Sequence, residues 1–101
     1  MDLIATEKLR EFCRHRPIAR AAVERWETMM RQLTPANYNE LRATYPSADY
    51  AVPFTIFNIG GNRYRIVAII DYAIGRVLVR AVMTHPEYDK WSRQYRQGKV
   101  K

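Results

Sequence analysis

Two glycine turns in the second half of this 101-residue chain can gather two arginines, an asparagine and a histidine on one surface. Gly60-Gly61 reads as a two-residue hairpin loop, and Ala73-Ile74-Gly75 as a three-residue loop closed by a left-handed glycine. With those loops, Ile59 pairs with Asn62, Asn58 faces Arg63 and Ile56 faces Arg65. Across the second turn Tyr72 pairs with Arg76, so Arg65 lies opposite Met83 and Arg63 opposite His85. Side chains directly opposite on paired strands share a face. Alternation then collects Asn58, Arg63, Arg65, Met83 and His85 at one end of one face. The chemistry of such a set is phosphate binding with proton transfer. Guanidinium groups stabilise charge that develops on a phosphorane, and histidine moves protons near neutral pH. Tyr88, three residues beyond His85, can reach the same place. The competing reading is a solvated basic sheet face on which His85 only caps a helix. Tyr64, Ile66, Ala68, Ile70, Leu78 and Val82 fall on the opposite, apolar face. Arg80 lands there too, and a slip of one residue in the second turn would return it to the arginine side.

The elements that must position these residues follow from hydrophobic period. Residues 2–5 can form a short strand. Thr6 is a candidate N-cap for a helix bearing Leu9, Phe12 and Cys13 on one face. Pro17 ends it and opens a second helix over residues 18–33. There Ala19, Ala22, Val23, Trp26, Met29, Met30 and Leu33 form one apolar stripe. Asn37 followed by Glu40 resembles a capping box for a brief helix near residues 38–44, and residues 45–49 read as turn. Strands follow at 54–59, 62–72 and 76–84. A last short helix begins at His85-Pro86, and residues 97–101 are expected to be a frayed basic tail. Helices followed by an antiparallel meander define an α+β fold in a single domain, 1–101, with the first strand as a possible extra edge.

Composition narrows the partners. Seventeen Lys+Arg against ten Asp+Glu give a net charge of +7, weighted toward arginine, the better phosphate ligand. Such a balance suits nucleic acid, an anionic membrane or an acidic protein. Apolar runs fall well short of the roughly 18 residues that span a bilayer, and the N-terminal residues carry no signal-peptide pattern. The single cysteine, Cys13, permits no internal disulfide and no multi-cysteine zinc site, and reads as a small apolar residue on a helix. A cytoplasmic protein is expected.

The residues also resemble a family. Asn58-Ile59-Gly60-Gly61-Asn62-Arg63-Tyr64-Arg65, followed by Thr84-His85-Pro86-Glu87-Tyr88-Asp89-Lys90, is similar to HigB-type toxins of bacterial type II toxin–antitoxin modules. Leu9-Arg10-Glu11-Phe12 and the segment from Leu41 to Asp49 match as well, so the resemblance covers nearly the whole chain. Cys13 stands where members carry Trp, Pro86 where Ala is more usual, and a basic extension follows Trp91. The resemblance implies a RelE-like fold, two N-terminal helices packed on a small antiparallel sheet with a short C-terminal helix. It implies cleavage of messenger RNA in the ribosomal A site without a metal or other cofactor. In that chemistry the 2′-hydroxyl attacks the adjacent phosphate and leaves a 2′,3′-cyclic phosphate. Carried onto this chain, Arg65 stabilises the phosphorane and His85 is the general acid or base, with Tyr88 the next catalytic candidate. Asn58, Asn62, Arg63, Arg80 and Lys90 become RNA contacts. The implied partner is a HigA-like helix-turn-helix antitoxin in a hetero-oligomer. Two other readings use the same residues differently: a ParE-like gyrase poison on the same fold, and an RNA-binding module without catalysis.

Overall fold

A computed structural model describes residues 1–100. In chain order the elements are β1 (Asp2–Ile4), α1 (Glu7–His15), a 3₁₀ turn (Pro17–Ala19), α2 (Arg20–Gln32), α3 (Tyr38–Thr44), β2 (Asp49–Ala51), β3 (Phe54–Ile59), β4 (Tyr64–Asp71), β5 (Arg76–Thr84) and α4 (His85–Arg96). The strands form one five-stranded sheet in the order β1-β5-β4-β3-β2. All neighbours are antiparallel except β1, which runs parallel to β5. The sheet is therefore mixed rather than antiparallel throughout. β1 lies at the edge expected of it, whereas β2 was not expected: it starts at Asp49, the last residue of the segment read as turn, and runs on to Ala51.

The helices form where the hydrophobic period placed them, although Thr6 starts α1 without a side-chain cap hydrogen bond. Leu9 and Phe12 of α1 and Ala22, Val23, Trp26 and Met30 of α2 are buried against the sheet. Trp26 meets Phe57 edge-on at 5.3 Å between ring centroids. Pro17 starts the 3₁₀ turn, so α2 proper begins at Arg20, two residues after Ile18, which is exposed. Glu27 is the buried residue the apolar stripe did not predict. Its carboxylate accepts from both terminal nitrogens of Arg10 at 2.7 and 3.2 Å, tying α1 to α2. Asn37 caps α3 by accepting from the Glu40 N–H, while the Glu40 carboxylate returns to Ala36 rather than to Asn37.

Both hairpins close differently from the expectation. Ile59 pairs with Tyr64, not Asn62, so the first loop has four residues, 60–63. Gly60, Gly61 and Asn62 all take left-handed backbone, at φ 62°, 63° and 73°. Asn62 adopts that region at modest cost and so lengthens the turn. Asn58 consequently faces Arg65 instead of Arg63. The shift is two residues, so both stay on the expected face. At the second turn Asp71, not Tyr72, pairs with Arg76. The Asp71 carboxylate accepts from the N–H groups of Ala73 and Ile74 and stabilises the longer loop. A bulge then inserts Arg80 between Val79, opposite Ala68, and Ala81, opposite Val67. The bulge cancels the slip, and Arg65 lies opposite Met83 as expected. It also puts Arg80 on the arginine side, its guanidinium 6.0 Å from the Phe54 ring centroid. Leu78 pairs with Ile69 and leaves the apolar face assigned to it. Val77 and Val79 occupy that core instead.

Gly60 is required as glycine. A β-carbon there would lie 2.7 Å from Tyr64 Cδ2 on a backbone of φ +62°. Gly60→Ala should destabilise the protein by about 1–3 kcal/mol through strain and displacement of Tyr64, whereas Gly61→Ala meets open space and carries only the left-handed backbone cost. Denaturant midpoints of the two variants check the ranking.

Candidate functional site

The two faces of the sheet are covered by different layers. α1, α2 and α3 lie on the face of Phe57, Ile66, Ala68, Val77 and Val79. On the other face Phe54, Ile56, Val67 and Met83 form a second, smaller cluster beneath α4. The expected arginine face is thus not an open surface. Tyr88, Trp91 and Tyr95 line one side of α4 as a ladder of stacked rings, with 5.7 and 5.5 Å between successive centroids. Trp91 and Tyr95 meet Phe54 edge-on, and the Tyr95 hydroxyl donates to the carbonyl of Val52. Thr84 and Glu87 close a reciprocal capping box at the start of α4, with Pro86 in the first turn. Gly98, at φ 73°, donates to the carbonyl of Tyr95, and Lys99 to that of Gln94. Residues 97–99 of the expected tail thus close the end of α4 through backbone hydrogen bonds. Lys101 of that expected tail lies outside the described residues.

One end of this layered face holds most of the predicted site. Arg65 is only 6% exposed. Its Nη1 donates to the carbonyls of Asn62 and Tyr64 at 2.9 and 3.2 Å, and its guanidinium stands 5.4 Å from the Tyr88 ring centroid. No carboxylate pairs with it among the described residues. Asn58, opposite Arg65, donates from Nδ2 to the carbonyl of Ser47. Asn62 and Arg63 are exposed on the loop above. The backbone N–H of His85 donates to the carbonyl of Arg63 at 2.9 Å, which joins the start of α4 to the hairpin loop. The imidazole of His85 is exposed, with Nδ1 3.4 Å from Asp89 on the next helical turn. Burial, with Asp49 nearby, pushes the Tyr88 phenol above its ordinary range, so Tyr88 stays protonated at neutral pH.

The structure therefore brings together Asn58, Asn62, Arg63, Arg65, His85 and Tyr88. Arg80 stands apart, over Phe54, and Lys90 is exposed farther along α4. Sequence reasoning missed Asp49 and Asp89. The spacing of His85 and Asp89, one helical turn, was a readable signal; the pairing that brings Asp49 near Tyr88 was not, because it depends on β2.

A small mixed sheet, the helices α1, α2 and α3 on one face and a C-terminal helix on the other define the class as RelE-like α+β proteins. The family model described as the RelE-like toxic component of a toxin–antitoxin system, HigB toxin, matches residues 19–91. The chain is 28% identical over 102 residues to the mRNA interferase HigB of Escherichia coli O6:H1 strain CFT073, covering 98% of this chain and 99% of that one. It is 39% identical over 59 residues to the mRNA interferase toxin HigB of Escherichia coli strain K12 and to the mRNA interferase HigB of Shigella flexneri, covering 55% of this chain and 57% of each. The chain belongs to the HigB family of toxic components of toxin–antitoxin systems.

Proposed function

We propose that this toxin is an endoribonuclease that cuts messenger RNA on the ribosome, in the A site, and so stops translation. One observation carries the reading. Arg65 is a nearly buried guanidinium with no anionic partner among the described residues, at the foot of a rim formed by Arg63 and His85. A buried charge without a counter-ion is costly, and a phosphate on the rim would supply the missing charge. The names of the relatives support the same activity.

In the proposed reaction a ribose 2′-oxygen attacks the adjacent phosphorus and the bond from phosphorus to the 5′-oxygen breaks. The products are a 2′,3′-cyclic phosphate and a 5′-hydroxyl. His85 takes the 2′-hydroxyl proton, and the protonated Tyr88 is the candidate donor to the 5′-oxygen. Arg65 stabilises the phosphorane from below, through its charge and its hold on the loop, while Arg63 supplies the exposed fork. Asn58 and Asn62 shape the loop around the RNA, and Arg80 and Lys90 contact its backbone. The proposed control is a HigA-like helix-turn-helix antitoxin that binds the toxin in a hetero-oligomer in the cytoplasm.

The test is purified protein with 70S ribosomes programmed with message, read by mapping new ends. The expected result is cleavage within codons in the A site, leaving 5′-hydroxyl ends. The double change of Arg65→Ala and His85→Ala is expected to remove both cleavage and growth arrest while the protein remains folded. A folded double variant that stayed fully toxic would overturn the assignment.

A further inference from the structure

The cations of this protein divide into two populations. On the helical side most are matched: of the seven Lys and Arg residues from Lys8 to Arg31, only Lys8 and Arg25 have no carboxylate partner among the described residues. Arg10 and Arg31 share Glu27, Arg14 holds Glu11, Arg20 holds Glu24, and Arg16 reaches Glu87 at the start of α4. The second half of α4 and the turn after it are different. Arg93, Arg96 and Lys99 are exposed, none has a carboxylate partner among the described residues, and positions 90–101 contain no acidic residue at all. Arg96 makes only a 3.4 Å contact to its own helix, at Ser92 Oγ.

The inner side of α4 is already occupied. Tyr88, Trp91 and Tyr95 stack on one another, and the last two pack on Phe54. The outer positions Lys90, Arg93, Gln94 and Gln97 are polar, so that surface has no apolar anchor for a bilayer. The same helix begins at His85, bonded to the Arg63 loop, and ends in this cationic stretch. An anionic chain lying along α4 would run from the candidate site onto unmatched positive charge.

We propose that the outer side of α4 and its closing turn, through Arg93, Arg96 and Lys99, are a backbone track for RNA phosphates. The track deepens the reading of the chain as acting on RNA. It holds the nucleic acid by charge and is separate from the residues that act on the scissile bond. Two sources supply the same chemistry, the message strand and the ribosomal RNA around it.

The decisive measurement is binding without cleavage. A single strand made of 2′-O-methyl ribose has no nucleophile, so affinity can be measured whether or not the protein is a nuclease. Each lost phosphate contact lowers the slope of log K against log salt by about 0.7 on a single strand, so Arg93→Gln, Arg96→Gln and Lys99→Gln together should flatten it by about 2. The matched control carries Arg14→Gln, Arg20→Gln and Arg25→Gln, an equal loss of charge from the other side, and should leave most of the slope in place. Parallel titrations use 70S ribosomes without message and vesicles containing phosphatidylserine. Selective loss on the strand, on the ribosome or on both supports the track and tells which RNA it serves. Equal losses in the two triple variants, or a loss confined to vesicles, overturn it. Absence of cleavage by the unmodified protein would remove the nuclease reading and leave this measurement standing.

Discussion

Replacing Arg65 by Met is expected to reduce message cleavage by about 10²–10³-fold, the usual loss when one donor is removed from a charge-stabilising site. Stability should change far less. Arg65 gives two carbonyl hydrogen bonds, to Asn62 and Tyr64, each worth about 1 kcal/mol net, and a contact with the Tyr88 ring. Against these stands the cost of keeping a guanidinium 6% exposed with no carboxylate beside it. Met fills much of the same volume without that cost, so the net change should stay within about 1 kcal/mol. Arg65→Lys keeps the charge and loses the planar fork, and should recover only part of the activity. Initial rates on programmed ribosomes, set beside thermal midpoints, separate the two roles. If the Met variant cuts at the normal rate, or unfolds tens of degrees early, Arg65 is a brace for the loop and not part of the chemistry.

The largest stability effect is expected at Trp26. It is 1% exposed, packs edge-on against Phe57, and belongs to the cluster that joins α2 to the sheet. Trp26→Ala should cost about 3–5 kcal/mol, because transfer free energy is lost and the surrounding backbone cannot close the void. At roughly 4–8 °C per kcal/mol for a domain of this size, the midpoint should fall by more than ten degrees. Trp26→Phe should be much milder. The indole N–H of Trp26 is buried without a hydrogen-bond partner, so Phe loses ring volume but also removes an unsatisfied donor. Thermal denaturation of both variants checks the contrast. Equal losses would show that the indole N–H has a partner in solution.

These two residues differ in how far the sequence alone foretold them. Trp26 lies in a stripe with Ala22, Val23 and Met30, and the helical period sufficed to call it core. Arg65 was placed on the correct face opposite Met83, yet its burial was not foreseen. Alternation says which face a side chain takes, and nothing about what later covers that face. The cover is α4, whose aromatic residues recur at helical spacing but whose target, Phe54, lies 37 residues before Trp91 and 41 before Tyr95. Glu27 shows the same limit, since its place in the core depends on Arg10 of another helix.

Local chemistry in the chain determined a good deal. Asn37, Pro17 and Pro86 marked helix starts, Gly60 and Gly75 marked turns, and the Asn58–Arg65 motif with His85 carried the family resemblance. Only the tertiary structure decided the loop lengths, the bulge at Arg80, the pairing of β2, and the burial of Arg65 under Tyr88. Loop length follows from how many consecutive residues tolerate left-handed backbone and from side-chain caps such as Asp71. Edge pairing and face covering come from contacts distant in sequence, whose free energy no local pattern encodes. The residues for an RNA-acting surface were therefore readable along the chain, while their division into a buried guanidinium and an exposed rim arises only when α4 closes over the sheet.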